Sequence, residues 1–267
     1  MTAAPTILVF DSGLGGLTVF RETVRARPDA QFVYAADDAF FPYGRHGEPE
    51  LVARVLAVMQ ELIDAHRPDL VVIACNTAST LVLPQLRTRF AVPFVGTVPA
   101  IKPACAASVS RMVSVLGTEA TVQREYTRAL IRDFGGGCEV TLVGSPRLAE
   151  LAEAALKGEA AADADIAAEI APCFVGSGSR RTDTVVLACT HFPLLLDRFN
   201  RLAPWPVNFI DPAAAIARRV ADLLPPPVAG ASTQPARLVF TSGRAPEPPL
   251  RAALANFGIA EGASAGV

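Results

Sequence analysis

The sequence predicts an α/β fold with mostly parallel sheets, arranged as two related halves, and three observations carry that prediction. Short apolar runs alternate with helix-patterned stretches along most of the chain, as helix-covered parallel sheets require. The segment Asp69-Leu-Val-Val-Ile-Ala-Cys75 is echoed by Asp183-Thr-Val-Val-Leu-Ala-Cys189, in register at an offset of 114. The 267 residues, 51% hydrophobic and 19% charged, suffice for one large domain or two small ones.

Taken in order, residues 7–10 read as a buried strand and Gly13-Leu-Gly-Gly16 as the turn into a helix. Residues 31–35 form the second strand. Leu51, Val55, Val58 and Leu62 recur at helical spacing within 50–66, and Arg67-Pro68 ends that helix. Further strands are predicted at 70–74, 93–96, 112–116, 139–143, 184–187, 207–210 and 238–241. Stretches 121–134 and 147–170 read as helical, 225–235 as a loop and 261–267 as a frayed tail. The echo extends past the cysteines, with Leu81 falling on Leu195 and Arg87 on Arg201. Each half thus presents a thiol at the carboxyl end of a buried strand, the edge where open α/β sheets bind ligands.

Composition narrows the function classes. The net charge is −2 with no Lys/Arg cluster, so nucleic acid and anionic membrane are poor candidates as main partners. No apolar run approaches the roughly 20 residues of a membrane span. The first residues lack the basic start and apolar stretch of a signal peptide, which leads us to expect a soluble, cytoplasmic protein. Five cysteines, an odd count with no CxxC, give little support to a disulfide framework or a closed zinc site. Cys105, Cys138 and Cys173 read as small packing residues.

Cys75 and Cys189 differ because of their neighbours. A cysteine between a strand end and a helix start sits near unpaired N–H groups and the positive end of a helix dipole. Both favour thiolate and predict a lowered pKa at Cys75. The same N–H groups can hold a substrate carboxylate, with Asn76 and Thr77 beside them. The plain alternative is a buried cysteine with Asn76 or Thr77 as a helix cap. Cys189-Thr190-His191 repeats the arrangement with an imidazole that can accept or return the thiol proton. Its alternative is a core histidine bonded to a carbonyl. Asp11-Ser12 ends the first strand; Asp11 reads as a helix N-cap, or as a carboxylate serving Cys75 or a substrate ammonium. The glycine-rich turn lacks the GxGxxG spacing and any following GKS/GKT, so a nucleotide site is disfavoured. The turn from Asp37 to Tyr43-Gly44 is either plain loop or pocket wall.

Two thiols facing one carbon fit inversion of a stereocentre. One removes a proton from one face while the other delivers a proton to the opposite face, and the roles exchange with substrate handedness. No metal or cofactor is demanded, provided electrostatics and hydrogen bonds stabilise the carbanion. A cysteine hydrolase would use one thiol with a histidine and gain nothing from the second; a thiol metal or redox module would use the same pair.

The strings FDSGLGGLTVF (10–20), the 37–44 segment ending PYG, ACNTAS (74–79), GTVPAIKPA (96–104) and ACTHFPLL (188–195) resemble the glutamate racemases of the aspartate/glutamate racemase superfamily. The resemblance implies cofactor-independent interconversion of L- and D-glutamate, supplying D-glutamate for peptidoglycan. It also implies two α/β domains around a cleft, one from 1–97 plus 208–267 and the other from 98–207, and a homodimer. The thiol matching Cys75 would attack D-glutamate and that matching Cys189 L-glutamate, assisted by Asp11 and His191. Substrate-binding positions match Asp11, Ser12, Tyr43, Gly44, Asn76, Thr77, Thr190 and His191, with Thr118 nearby. Asp37 and Glu153 are possible assisting residues. Racemization of aspartate, or of both acids, is the near alternative. Phe40, Ser145 and Ala188 depart from the family pattern, standing where a basic residue, a cysteine and a glycine are usual.

Overall fold

The computed structural model describes residues 4–227 and 235–259. Most of the loop predicted at 225–235 and all of the predicted tail lie outside the described residues. The first half runs β1 (Thr6–Asp11), α1 (Leu17–Ala26), β2 (Gln31–Ala36), α2 (Glu48–His66), β3 (Leu70–Ile73), α3 (Asn76–Arg89) and β4 (Phe94–Gly96). After α4 (Ile101–Ala107), the second half begins with β5 (Met112–Gly117), α5 (Glu119–Gln123), α6 (Glu125–Phe134) and β6 (Glu139–Gly144). It continues through α7 (Leu148–Leu156), α8 (Asp163–Ile170), the two-residue strands β7 (Gly176–Ser177) and β8 (Arg180–Arg181), then β9 (Thr184–Ala188), α9 (Leu196–Leu202) and β10 (Asn208–Ile210). The chain returns to the first half with α10 (Ala213–Leu223), β11 (Arg237–Phe240) and α11 (Pro248–Ala255).

Two parallel sheets result, ordered β11-β2-β1-β3-β4 and β10-β9-β5-β6. The run β2-β1-β3-β4 has the same order as β6-β5-β9-β10, so the sequence echo at the two cysteines is a repeat of topology. In each sheet the order reverses between the strand pair β1/β3 or β5/β9, which opens a crevice at their carboxyl ends. Asp11-Ser12 and Cys75 stand at one crevice, Thr118 and Cys189 at the other. Strand β10 pairs with β9, three residues past the boundary expected at 207.

Both faces of the central strands β1, β3, β5 and β9 are buried, which explains why these are continuous apolar runs, while β6 and β10 at the edges of the second sheet are only partly covered. Leu17, Phe20, Ile216 and Val220 close one face of the first sheet, and Leu51, Val55, Met59 and Leu86 close the other. Each such fully buried aliphatic or aromatic side chain contributes about 1.5–3 kcal/mol by leaving water. The buried stripe of α2 is Leu51, Val55, Val58, Met59 and Leu62. Arg67, in the left-handed region at φ 44°, ends that helix ahead of Pro68.

Two predicted helices are each broken in two. Residues 121–134 form α5 and α6, separated at Arg124, whose backbone is extended (φ −69°, ψ 141°). Residues 147–170 form α7 and α8, and Gly158 at φ +80° makes the turn that an L side chain resists. Among the described residues, no helix is long and apolar enough to cross a membrane. Cys105 and Cys173 are buried in the second half's core and Cys138 is half-buried against it, as their reading as packing residues anticipates.

Candidate active site

The carboxyl edges of the two sheets face one another across a small cavity. Its wall includes Ser12, Tyr43, Gly44, Cys75, Asn76 and Thr77 from the first half, and Thr118, Cys189, Thr190 and His191 from the second. All ten were expected from sequence. Phe41, Pro42 and Ala149 complete the wall; they carry no chemistry that a sequence reading would register. Asp11, Asp37 and Glu153 stand behind it.

Cys75 ends β3 and caps α3. The first helical bond is Ser79 N–H to the Cys75 carbonyl at 2.9 Å, and the Ala78 N–H turns to the Cys75 sulfur, so the Asn76 and Thr77 N–H groups lie outside the helical ladder. Asn76 is buried, with both amide atoms lacking a partner, so its donors and acceptor are available to a ligand. The Cys75 thiol donates to Ser12 Oγ at 3.6 Å. The helix terminus led us to expect a lowered pKa here, and the structure overturns that. Burial and the Asp11 charge push the thiol up to about 12, outweighing the Ala78 N–H and Ser12 contacts that favour thiolate. Cys75 therefore rests as a thiol.

Asp11 is not the N-cap of α1, a position held by Gly16. Its carboxylate accepts the Gly16 N–H at 2.8 Å, satisfying the start of α1, and a Thr190 hydroxyl bond at 3.3 Å from the opposite half. Burial raises its pKa, against the pull of His191 and the Gly16 amide.

Around Cys189 the neighbours are charged. His191 Nδ1 lies 3.9 Å from the Cys189 sulfur, and His191 Nε2 lies 2.8 Å from Glu153 Oε2. Glu153 is buried and also accepts the Leu14 N–H at 3.2 Å, while Lys157 pairs with its other oxygen at 3.1 Å. Burial alone would lower the His191 pKa. The bonds to Cys189 and Glu153, with the Asp11 charge, reverse this and hold it well above its usual value. Burial likewise opposes ionisation of Glu153, but His191 and Lys157 bring its pKa below the carboxylate norm. These shifts favour the imidazolium–carboxylate form, and the Gly15 N–H also approaches His191 Nε2 at 3.2 Å.

The glycine-rich turn makes this arrangement possible. A Cβ on Gly15 would lie 2.5 Å from the backbone and ring nitrogens of His191, and one on Gly13 would lie 2.5 Å from Glu153 Oε2. The turn is a seat for the other half's ion pair, which leaves no space there for a phosphate. Tyr43 reaches the wall with its hydroxyl turned away, donating to buried Asp37 at 2.7 Å. Arg54 at 3.0 Å and the Thr241 hydroxyl at 2.6 Å also hold Asp37. Thr77, Thr118 and Thr121 form a hydroxyl cluster spanning the cleft, at 2.9–3.3 Å. Sequence reading missed Thr121, although its spacing from Thr118 is that of a cap to its N3 position.

Comparison with known proteins agrees with this construction. A model of the Asp/Glu/hydantoin racemase family matches residues 11–220. The chain belongs to that family. It is therefore an isomerase of the racemase class, and the resemblance carried by the five motifs is confirmed. The glutamate racemase of Brucella ovis is 56% identical over 227 residues, 84% of this chain and 82% of its own. That of Brucella anthropi is 52% identical over 255 residues, 95% and 92% of the two chains. The crystal structure of Escherichia coli glutamate racemase, in complex with L-glutamate and the activator UDP-MurNAc-Ala, matches at a TM-score of 0.88 with 38% identity, covering 98% of this chain and 97% of that one.

The three departures from the family pattern lie off the cavity wall of this racemase-family chain. Phe40 stacks on His46 with ring centroids 3.6 Å apart. Ser145 bonds Glu169 and accepts the Leu148 N–H at 3.0 Å, at the start of α7. Ala188 pairs with Gly117 across β9 and β5, a neighbour small enough to admit its methyl group.

Proposed function

We propose that this protein interconverts L- and D-glutamate by a two-base mechanism, without metal or cofactor, with Cys75 and Cys189 acting on opposite faces of the substrate Cα. The observation that supports this most is that two thiols, at equivalent strand ends of two topologically repeated sheets, line one cavity. Their surroundings are unequal, Ser12 beside Cys75 and His191 beside Cys189. Cys189, paired with the His191 imidazolium, takes the Cα proton of L-glutamate, and Cys75, a thiol, delivers its own proton to the opposite face to give D-glutamate. In the reverse direction Cys75 must first lose its proton, and Asp11, buried close by, is the group to assist it. His191 assists the reverse proton delivery from Cys189.

In this reading the free amides at the start of α3, with Asn76 and Thr190, hold the α-carboxylate. The Thr77–Thr118 hydroxyls and the Tyr43–Gly44 backbone receive the side-chain carboxylate. Two domains hinge at this cleft, one from residues 1–97 plus the chain after β10, the other between. The protein works in the cytoplasm as a homodimer, supplying D-glutamate for peptidoglycan.

Purified protein incubated with L-glutamate should bring optical rotation to zero, unaffected by chelator or reductant, and should leave L-aspartate unchanged. Retained glutamate rotation would overturn the reading. Equal turnover of aspartate would replace it with a broad acidic amino-acid racemase.

A further inference from the structure

The cleft is closed. Its cavity is about 20 Å³, room for about one water, so an amino acid with two carboxylates enters only when the two halves part. Whatever holds the halves together at the mouth is therefore part of the binding equilibrium.

Arg124 occupies the one-residue break between α5 and α6, where the extended backbone projects its side chain away from its own helices. The side chain is only 10% exposed. One terminal nitrogen donates to the Thr77 carbonyl at 2.6 Å and to Thr80 Oγ1 at 2.9 Å, and Nε lies 3.6 Å from Glu48. Thr80 passes the connection on, its hydroxyl donating to the Asn76 carbonyl at 3.0 Å. Among the described residues, every side-chain bond and ion pair of Arg124 goes to the opposite half, whereas a stabiliser of its own helix would bond within it. Two of its acceptors lie in the first turn and a half of α3, the segment that carries Asn76 and Thr77 on the cavity wall. Bonds from a guanidinium are roughly twice as strong as neutral ones, and this one is largely out of water.

We propose that Arg124 is a positioning residue that latches the cleft shut, holding the start of α3 against the second half, and that it releases α3 when a dicarboxylic amino acid enters or leaves. The substrate named here rests on the reading under Proposed function; the latch rests on the contacts alone.

The test compares the wild type with Arg124→Met and Arg124→Lys, using exposed Arg128→Met as the control for lost charge. Backbone amide exchange at residues 76–81 is measured without substrate, and KM and kcat are measured for both glutamate enantiomers. Arg124→Met should speed exchange in that segment and shift KM about tenfold by a common factor in both directions, with kcat changed less than about threefold. Arg124→Lys, able to reach one acceptor, should fall between, and it carries the test if Arg124→Met does not fold. Arg128→Met should match wild type. Wild-type exchange and KM in both Arg124 variants, or a loss confined to kcat, would overturn the latch. A wild type inert toward glutamate would sink the substrate reading, while the exchange arm would still decide the latch.

Discussion

The two cysteine sites are built on the same frame and furnished differently. Each thiol ends a strand beside the crevice where its sheet order reverses, and each strand begins next to an aspartate. Cys75 leads directly into the 14-residue helix α3 and has a hydroxyl and a backbone amide for close neighbours. Cys189 leads into a short 3₁₀ turn at Phe192–Leu195 and has a buried imidazolium–carboxylate pair instead. Repeated topology supplies the opposed placement, while the side chains around each cysteine give the two thiols different partners, Ser12 and Asp11 beside Cys75 and His191 with Glu153 beside Cys189.

The harshest way to break the comparison is to remove each sulfur in turn. Cys75→Ser and Cys189→Ser should each lower racemization at least about a thousandfold, measured by circular dichroism with either enantiomer. If one variant kept near-wild-type turnover, the sites would not be partners. Next in size, His191→Ala should lower kcat/KM about a hundredfold in both directions, as equilibrium requires, with the chemical step from L-glutamate the more impaired. Unchanged kinetics would return His191 to a packing role.

Glu153→Gln sharpens the asymmetry through pH. Without the carboxylate, His191 loses a main support of its raised pKa, so the alkaline limb of kcat/KM should move to lower pH, with activity at neutral pH down about tenfold. The same pair bears on stability. His191 titrates above its usual 6.5 in the folded protein, so its contribution is complete below 6.5 and is lost as pH rises through the folded value. Glu153 titrates below its usual 4.5, so its contribution is complete above 4.5 and is lost as pH falls through the folded value. Melting temperatures of wild type and Glu153→Gln across pH should therefore differ most between these limits and converge toward both extremes.

The smallest effect concerns the echoed aspartates. Asp183 accepts from Ser108 Oγ and from the Val109 and Ser110 amides at 2.6–2.8 Å, fastening the entry to β5. Among the described residues, Asp69 accepts only the Thr6 amide, at 2.7 Å, at the start of β1. Denaturant titration should find Asp183→Ala costing about 1–3 kcal/mol and Asp69→Ala about 0.5–1 kcal/mol. Equal costs would mean that the extra bonds at Asp183 contribute nothing.

Much of this was legible in the chain because it is local. Apolar runs marked the strands, and the Asp-to-Cys echo marked equivalent strand ends before any topology was known. The breaks at Arg124 and Gly158 were not legible. At Arg124 the apolar spacing continues across the break, and the side chain at the break bonds α3, 47 residues away in sequence at Thr77. The protonation of Cys75 was misjudged for a related reason. A helix start favours thiolate wherever it occurs, but burial beside Asp11 is a property of the assembled cleft. The purpose of Gly13 and Gly15 also appears only when His191 and Glu153, from the other half, settle against them.

The central claim, that opposed thiols handle separate protons, is tested most directly by following L-glutamate in D₂O during the first turnovers. D-glutamate should carry deuterium at Cα, while the remaining L-glutamate stays unlabelled. D-glutamate that kept its original Cα proton, or L-glutamate labelled as fast as product forms, would show one base serving both faces and contradict the pairing of Cys75 with Cys189.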